Sequence, residues 1–199
     1  MTEKGKLIVI SGPSGVGKSS VVNKAIQGRD DMCFSTSVTT RAPRKGEVDG
    51  KDYFFIDQQR FQEMVDRGEL LEHASYVAHS YGTPRAFVEE RMEAGFNVIL
   101  DIEVQGARQV KEKMPEAVLI FILPPSMEEL RRRLEMRGTD SSDVIEARLL
   151  RAREELKEAG RYDYFVVNDK LEEAAAEFAA ILKAEHCRAA HRLHLLETI

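Results

Sequence analysis

Gly12, Gly17, Lys18 and Ser19 stand at the spacing G-x-x-x-x-G-K-[ST], within Gly12-Pro13-Ser14-Gly15-Val16-Gly17-Lys18-Ser19. That spacing suits the cradling of nucleotide phosphates. Glycines reach backbone angles closed to other residues, so successive N–H groups can point at one anion. A helix starting there adds its positive end. Lys18 would reach the β- and γ-phosphates, and the Ser19 hydroxyl would hold Mg²⁺. At average residue usage the four fixed positions match by chance about once in 30,000 positions, so a glycine turn with a chance lysine is the weaker alternative.

Asp101 ends an apolar run. A carboxylate there either holds Mg²⁺ beside a phosphate loop or caps the next helix. Arg131, Arg132, Arg133 and Arg137 share one predicted helix, and Arg148, Arg151 and Arg153 the next. Arginine offers phosphate a fixed, bidentate positive charge. The interspersed acids Glu128, Glu129, Glu135, Glu146, Glu154 and Glu155 leave a solvated helix surface as the alternative for most of them. Arg41 and Arg44 form a second cationic spot, and Tyr53 and Tyr81 can each donate a phenolic hydrogen bond. Two arginine clusters beside one phosphate loop point to two phosphate-bearing ligands, as transfer between nucleotides requires.

The elements that must hold these residues follow from the apolar pattern. Lys6–Ser11, Phe96–Asp101, Ala117–Leu123 and Tyr162–Asn168 read as strands, three of them as buried runs. Cys33–Thr40 and Tyr53–Ile56 read as further strands, and Glu69–Tyr81 as short strands with turns. Helices are predicted from Ser19, from a cap at Asp57 to a stop at Gly68, and from Thr83-Pro84 to Gly95. Others run from Ser126 to Arg137, over Ser141–Ala159, and from Leu171 to about Leu196. Strands alternating with helices imply an α/β fold, a mostly parallel sheet with helices on both faces. Residues 35–84 break the rhythm as an inserted, strand-rich subdomain, and 126–156 read as a helical lid. The core is then 1–34, 85–125 and 157–199.

Composition narrows the setting. The chain has 199 residues and a net charge of −5, which argues against a general nucleic-acid or membrane binder. No run approaches the roughly 18 apolar residues of a membrane helix. The opening residues do not read as a secretion signal. Cys33 and Cys187 are far apart and form no C-x-x-C, so a reducing cytoplasm is the expected compartment. The five histidines form no metal-ligand constellation. Oligomeric state is not legible; the leucines at 193, 195 and 196 are expected to dock on the chain's own core.

Taken together, several segments resemble guanylate kinase. They are the loop at 12–19, Ser37-Val38-Thr39-Thr40-Arg41-Ala42-Pro43-Arg44 and Gly46-Glu47-Val48-Asp49-Gly50-Lys51-Asp52-Tyr53-Phe54-Phe55. Tyr81-Gly82-Thr83-Pro84, Asp101-Ile102-Glu103-Val104-Gln105-Gly106 and Arg137-Gly138-Thr139-Asp140 complete the set. The resemblance implies a P-loop kinase fold with a GMP-binding insertion and a lid, using ATP, GMP and Mg²⁺. It implies ATP contacts from Gly12 through Ser20, that is Gly12, Pro13, Ser14, Gly15, Val16, Gly17, Lys18, Ser19 and Ser20, with Asn168 near the base. It assigns the GMP phosphate to Arg41, Arg44, Tyr53 and Tyr81, and guanine to Ser37, Glu72 and Thr83. Asp101 and Glu103 belong to the same pocket, and Ser19 and Asp101 to the metal. Glu103 replaces the family's usual aspartate, one methylene longer. Lys18, Arg44, Arg137 and Arg148 are the expected catalytic set.

Guanine chemistry supports this assignment. Guanine presents N1–H and N2–H₂ as adjacent donors, and one carboxylate accepts from both; adenine offers an acceptor at N1. Glu72 can make that distinction, with Ser37 and Thr83 hydroxyls donating to O6. A charge on an exposed strand is the other reading of Glu72, and ordinary loop or cap residues those of Ser37 and Thr83. A protein-binding module of the same fold and a kinase for another mononucleotide, such as AMP, are the rival functions.

Overall fold

The computed structural model describes residues 4–76, 78–138 and 140–197. Thr139 and part of the chain's opening, where no secretion signal is expected, lie outside them. In chain order the first elements are β1 (Leu7–Ser11), α1 (Lys18–Ala25), β2 (Met32–Phe34), β3 (Val38–Thr39), β4 (Phe54–Phe55) and α2 (Gln58–Asp66). Then come β5 (Leu70–Tyr76), β6 (His79–Pro84), α3 (Arg85–Glu93), β7 (Asn97–Asp101) and α4 (Val104–Lys113). The last are β8 (Val118–Leu123), α5 (Met127–Met136), α6 (Ser142–Glu158), β9 (Tyr164–Val167) and α7 (Leu171–His186). Contacts divide the chain into two compact units, Met1–Ser11 with Asp30–Ile120, and Gly12–Arg29 with Phe121–Ile199.

In the first unit β2, β7 and β1 lie side by side, all parallel, with Ile8 opposite Ile99 and Cys33 opposite Val98. Every residue of β1 is buried, as is β7 up to Asp101, so both read as continuous apolar runs. Helices α3 and α4 pack on β7 and β1. A second sheet in the same unit has the order β4-β3-β6-β5. Its core is Val38, Phe61, Met64 and Leu70, with Phe54, Ile56 and Val65 against it. Each such side chain contributes roughly 1.5–3 kcal/mol when fully buried. Helix α2 begins at Asp57, whose carboxylate accepts from Arg60 N at 2.7 Å, and stops before Gly68 at φ +66°. The stretch 33–40, read as one strand, is two, β2 and β3 in different sheets, because the chain leaves the first sheet at Ser35.

In the second unit α7 packs on α1 and on β9, and β9 neighbours β8. The Ser126 hydroxyl caps α5 by accepting from Glu129 N at 3.1 Å. Helix α7 ends at His186, about ten residues before the expected end. Arg188 turns to extended angles, and short 3₁₀ turns follow at Ala189–His191 and Leu193–Glu197. Leu193, Leu195 and Leu196 are 60%, 44% and 71% exposed, so they do not dock on the core as expected. No helix among the described residues is long and apolar enough to cross a membrane.

Candidate active site

The second unit carries the phosphate loop. Gly12, Gly15 and Gly17 have φ of 149°, 91° and 93°. All three are also short of space: a Cβ on Gly12 would meet the Ile122 carbonyl at 2.4 Å, one on Gly15 the Leu134 side chain at 2.7 Å, and one on Gly17 the Asn168 amide at 2.6 Å. Val16 is fully buried at the loop's centre. Its carbonyl accepts from Asn168 Nδ2 at 2.7 Å, and Asn168 N donates to Leu123 O at 2.8 Å. Asn168, expected near the ATP base, is thus a strut between β8 and the loop. Lys18 Nζ donates to the Gly12 carbonyl at 2.8 Å, folding back across the loop. Ser19 and Ser20 are exposed in the first turn of α1, whose N-terminal end faces the loop.

The arginines of α5 and α6 sort into two groups. Arg131 pairs with Glu146, Arg132 and Arg133 with Glu129, and Arg151 with Glu155. The two guanidiniums pull the Glu129 carboxyl down to about 2. These form the charge-balanced surface that was the alternative reading. Arg137 at the end of α5 is exposed, with no partner among the described residues, while Arg148 meets Asp140 at 3.1 Å.

The residues expected to hold an acceptor nucleotide all lie in the first unit. Glu72 is 6% exposed and Thr83 fully buried, and Thr83 Oγ1 donates to Glu72 Oε1 at 2.6 Å. The exposed-charge reading of Glu72 is therefore wrong. Burial pushes the Glu72 carboxyl above its usual range, against the pull of the Thr83 hydrogen bond and the Lys113 charge. Thr83 spends its only hydrogen on Glu72, so here it orients the carboxylate and has none for O6. A register shift between Leu70 and His73 against β6 places Glu72 in a β-bulge, a device that re-aims a side chain. Ser37 lies just before β3, partly exposed.

Arg41 is gripped by Glu47 at both carboxylate oxygens, 2.9 and 2.8 Å. Its guanidinium lies 5.4 Å from the Tyr53 ring centre, and the Tyr53 and Tyr81 rings meet edge-on at 6.1 Å. Glu47 also accepts from Arg44 N at 2.7 Å, and the Arg41 fork holds its carboxyl below the usual range. Arg41, Tyr53 and Tyr81 thus form one cluster, and Arg44 lies exposed on the adjoining loop. Glu47 was missed by sequence reasoning; its place six residues after Arg41 in a polar loop gave no periodic signal. Asp101 is exposed at the end of β7. The cap position of α4 is Glu103.

A strand-loop-helix phosphate cradle with a separate buried carboxylate and arginine-tyrosine cluster defines a P-loop phosphotransferase of the mononucleotide kinase class. A family model described as guanylate kinase matches residues 4–185. The guanylate kinase of Lactococcus lactis subsp. lactis (strain IL1403) is 52% identical over 94% of this chain and 92% of its own length. One from Thermus thermophilus is 53% identical over 98% of this chain and 88% of its own length. A crystal structure of guanylate kinase from Anaplasma phagocytophilum superposes with a TM-score of 0.74 at 39% identity, covering 98% of this chain and 95% of that one. The chain belongs to the guanylate kinase family.

Proposed function

We propose that the two sets of residues serve the two halves of one reaction, the second unit binding the donor and the first the acceptor. The chain transfers the γ-phosphoryl group of ATP to GMP, giving ADP and GDP. In our reading dGMP is also an acceptor, because nothing in the guanine-reading set depends on the 2′-hydroxyl. The observation that carries the acceptor assignment is Glu72, a buried carboxylate held by Thr83. Such a group accepts from guanine N1–H and N2–H₂, and adenine would leave it poorly paired.

The nucleophile is already an anionic phosphate oxygen, so catalysis is positioning and charge neutralisation. We assign Arg41, Arg44, Tyr53 and Tyr81 to the GMP phosphate, and Ser37, Glu72, Asp101 and Glu103 to the rest of that nucleotide, with Thr83 acting through the Glu72 carboxylate it holds. Gly12 through Ser20 hold the ATP phosphates, with Asn168 as their support. Lys18, Arg137 and Arg148 stabilise the charge spread in the transition state. Water must be kept from the transferring group, a task we give to the 35–84 insertion and the 126–156 lid.

Ser19 and Asp101 are exposed hard-oxygen donors, which fits a magnesium ion that keeps several waters and takes few protein ligands. When bound, the ion neutralises phosphate charge. The two free cysteines suit a reducing cytoplasm, where this reaction serves purine nucleotide metabolism.

A coupled ADP-release assay with GMP, dGMP, AMP, UMP and no acceptor tests the proposal. GMP and dGMP are expected to support turnover, and the others to give little above background. Equal turnover with AMP, or ADP release independent of any acceptor, would refute it.

A further inference from the structure

Strand β5 is the edge of its sheet, so one side of its backbone has no strand partner. Side chains of α4 take that place. Gln109 Oε1 accepts from His73 N at 3.2 Å, and Gln109 Nε2 donates to His73 O at 3.0 Å. One side-chain amide thus makes both bonds that a neighbouring peptide group would make. One turn further, Lys113 Nζ donates to Leu70 O at 2.8 Å. Between these anchors lies the bulge, and in it Glu72. One turn earlier stands Gly106, where a Cβ would come within 3.0 Å of Glu72 Oε2. Gly106, Gln109 and Lys113 are spaced by three and four, so they share one helix face.

We propose that this face of α4 is the positioning element for the guanine-reading carboxylate. Gln109 and Lys113 fix the bulged backbone on either side of Glu72, and the missing side chain at Gly106 leaves the room Oε2 occupies. Guanine presents its two donors at fixed places, so a carboxylate shifted by a few tenths of an ångström meets them off line. A helix glycine without such a duty is a liability, since alanine suits a helix interior better. The inference rests on Glu72 reading guanine, and adds which residues set its aim.

The test compares steady-state kinetics of wild type, Gln109→Met, Gly106→Ala and Glu72→Gln, with KM for GMP and for ATP measured separately and Tm recorded. Gln109→Met keeps the bulk and removes both hydrogen bonds; Gly106→Ala favours the helix and crowds Oε2. Both are expected to raise KM for GMP about tenfold, the worth of one impaired hydrogen bond to a charged group, with KM for ATP within twofold. A purely structural role would lower the active fraction and hence kcat, leaving both KM values alone. If Glu72→Gln raises KM for GMP while the two α4 variants keep it within twofold, the inference fails and the reading of Glu72 stands. If Glu72→Gln leaves KM for GMP unchanged, the reading fails and takes the inference with it. Failure of both α4 variants to fold also overturns it, since the face would then be core structure alone.

Discussion

Replacing Asn168 by alanine should loosen the phosphate loop and leave acceptor binding intact. The Asn168 amide is 2.7 Å from the Val16 carbonyl, with Asn168 7% exposed and Val16 fully buried. Without it, the other donor near that carbonyl is Arg133 Nη1 at 3.4 Å, too long to compensate. A buried carbonyl that loses its partner costs about 1–3 kcal/mol. For a domain of this size, about 2 kcal/mol lowers Tm by about 4–8 °C. If about 1.4 kcal/mol of the loss falls on loop order, ATP affinity drops tenfold. Glu72, Arg41, Tyr53 and Tyr81 belong to the other unit, so KM for GMP should stay within twofold. Asn168→Asp sharpens the test: it keeps the shape but turns a carboxylate toward the carbonyl, and should be worse than alanine. Kinetics with each substrate varied in turn, together with thermal melts, measure all of this. An alanine variant with wild-type Tm and KM for ATP, or one that raises both KM values alike, would refute the reasoning.

Further outcomes follow from the site. KM for GMP should rise as pH falls through a range above that of an ordinary carboxylate, because burial raises the Glu72 carboxyl and only its ionised form accepts from guanine; a pH profile of kcat/KM for GMP reads this, and KM for ATP should not follow. In the ligand-free protein the sign reverses: the fold holds the Glu72 proton more tightly than the unfolded chain, so its contribution to stability falls as pH rises through the folded value. Arg137→Ala should lower kcat by about 100-fold with Tm unchanged, since the side chain is exposed and has no hydrogen-bond or ion-pair partner among the described residues; an equal loss in GMP binding would count against a transition-state role. Removing magnesium with a chelator should abolish transfer while GMP still binds by calorimetry, because Glu72, Arg41, Tyr53 and Tyr81 need no metal.

The backbone of the account was legible in the sequence because it rests on local signals. Leu7–Ser11 and Asn97–Asp101 carry short apolar runs of the kind a buried parallel strand shows, and Asp57, Gly68 and Ser126 punctuate their helices as read. The loop glycines announced positive φ, and three have it. What escaped was set by long-range pairing. The hydroxyl of Thr83 turns to Glu72 only because β5 and β6 pair, and the clamp of Gln109 on His73 spans 36 residues. Glu47 and Asn168 act through backbone or side-chain partners that composition does not reveal. The overrun of the last helix has a simpler cause: residues 187–197 keep helix-forming types but have no core to cover, and the chain breaks at Arg188.

The central claim is that the acceptor pocket reads a purine edge that gives hydrogens, and it is tested most directly by kcat/KM for GMP, IMP and AMP under one set of conditions. IMP keeps N1–H and lacks the 2-amino group, so it should fall below GMP by about 10–100-fold, the worth of one hydrogen bond to a carboxylate. AMP, with an acceptor at N1, should fall lower still. An IMP value equal to that of GMP, or AMP at or above IMP, would contradict the account.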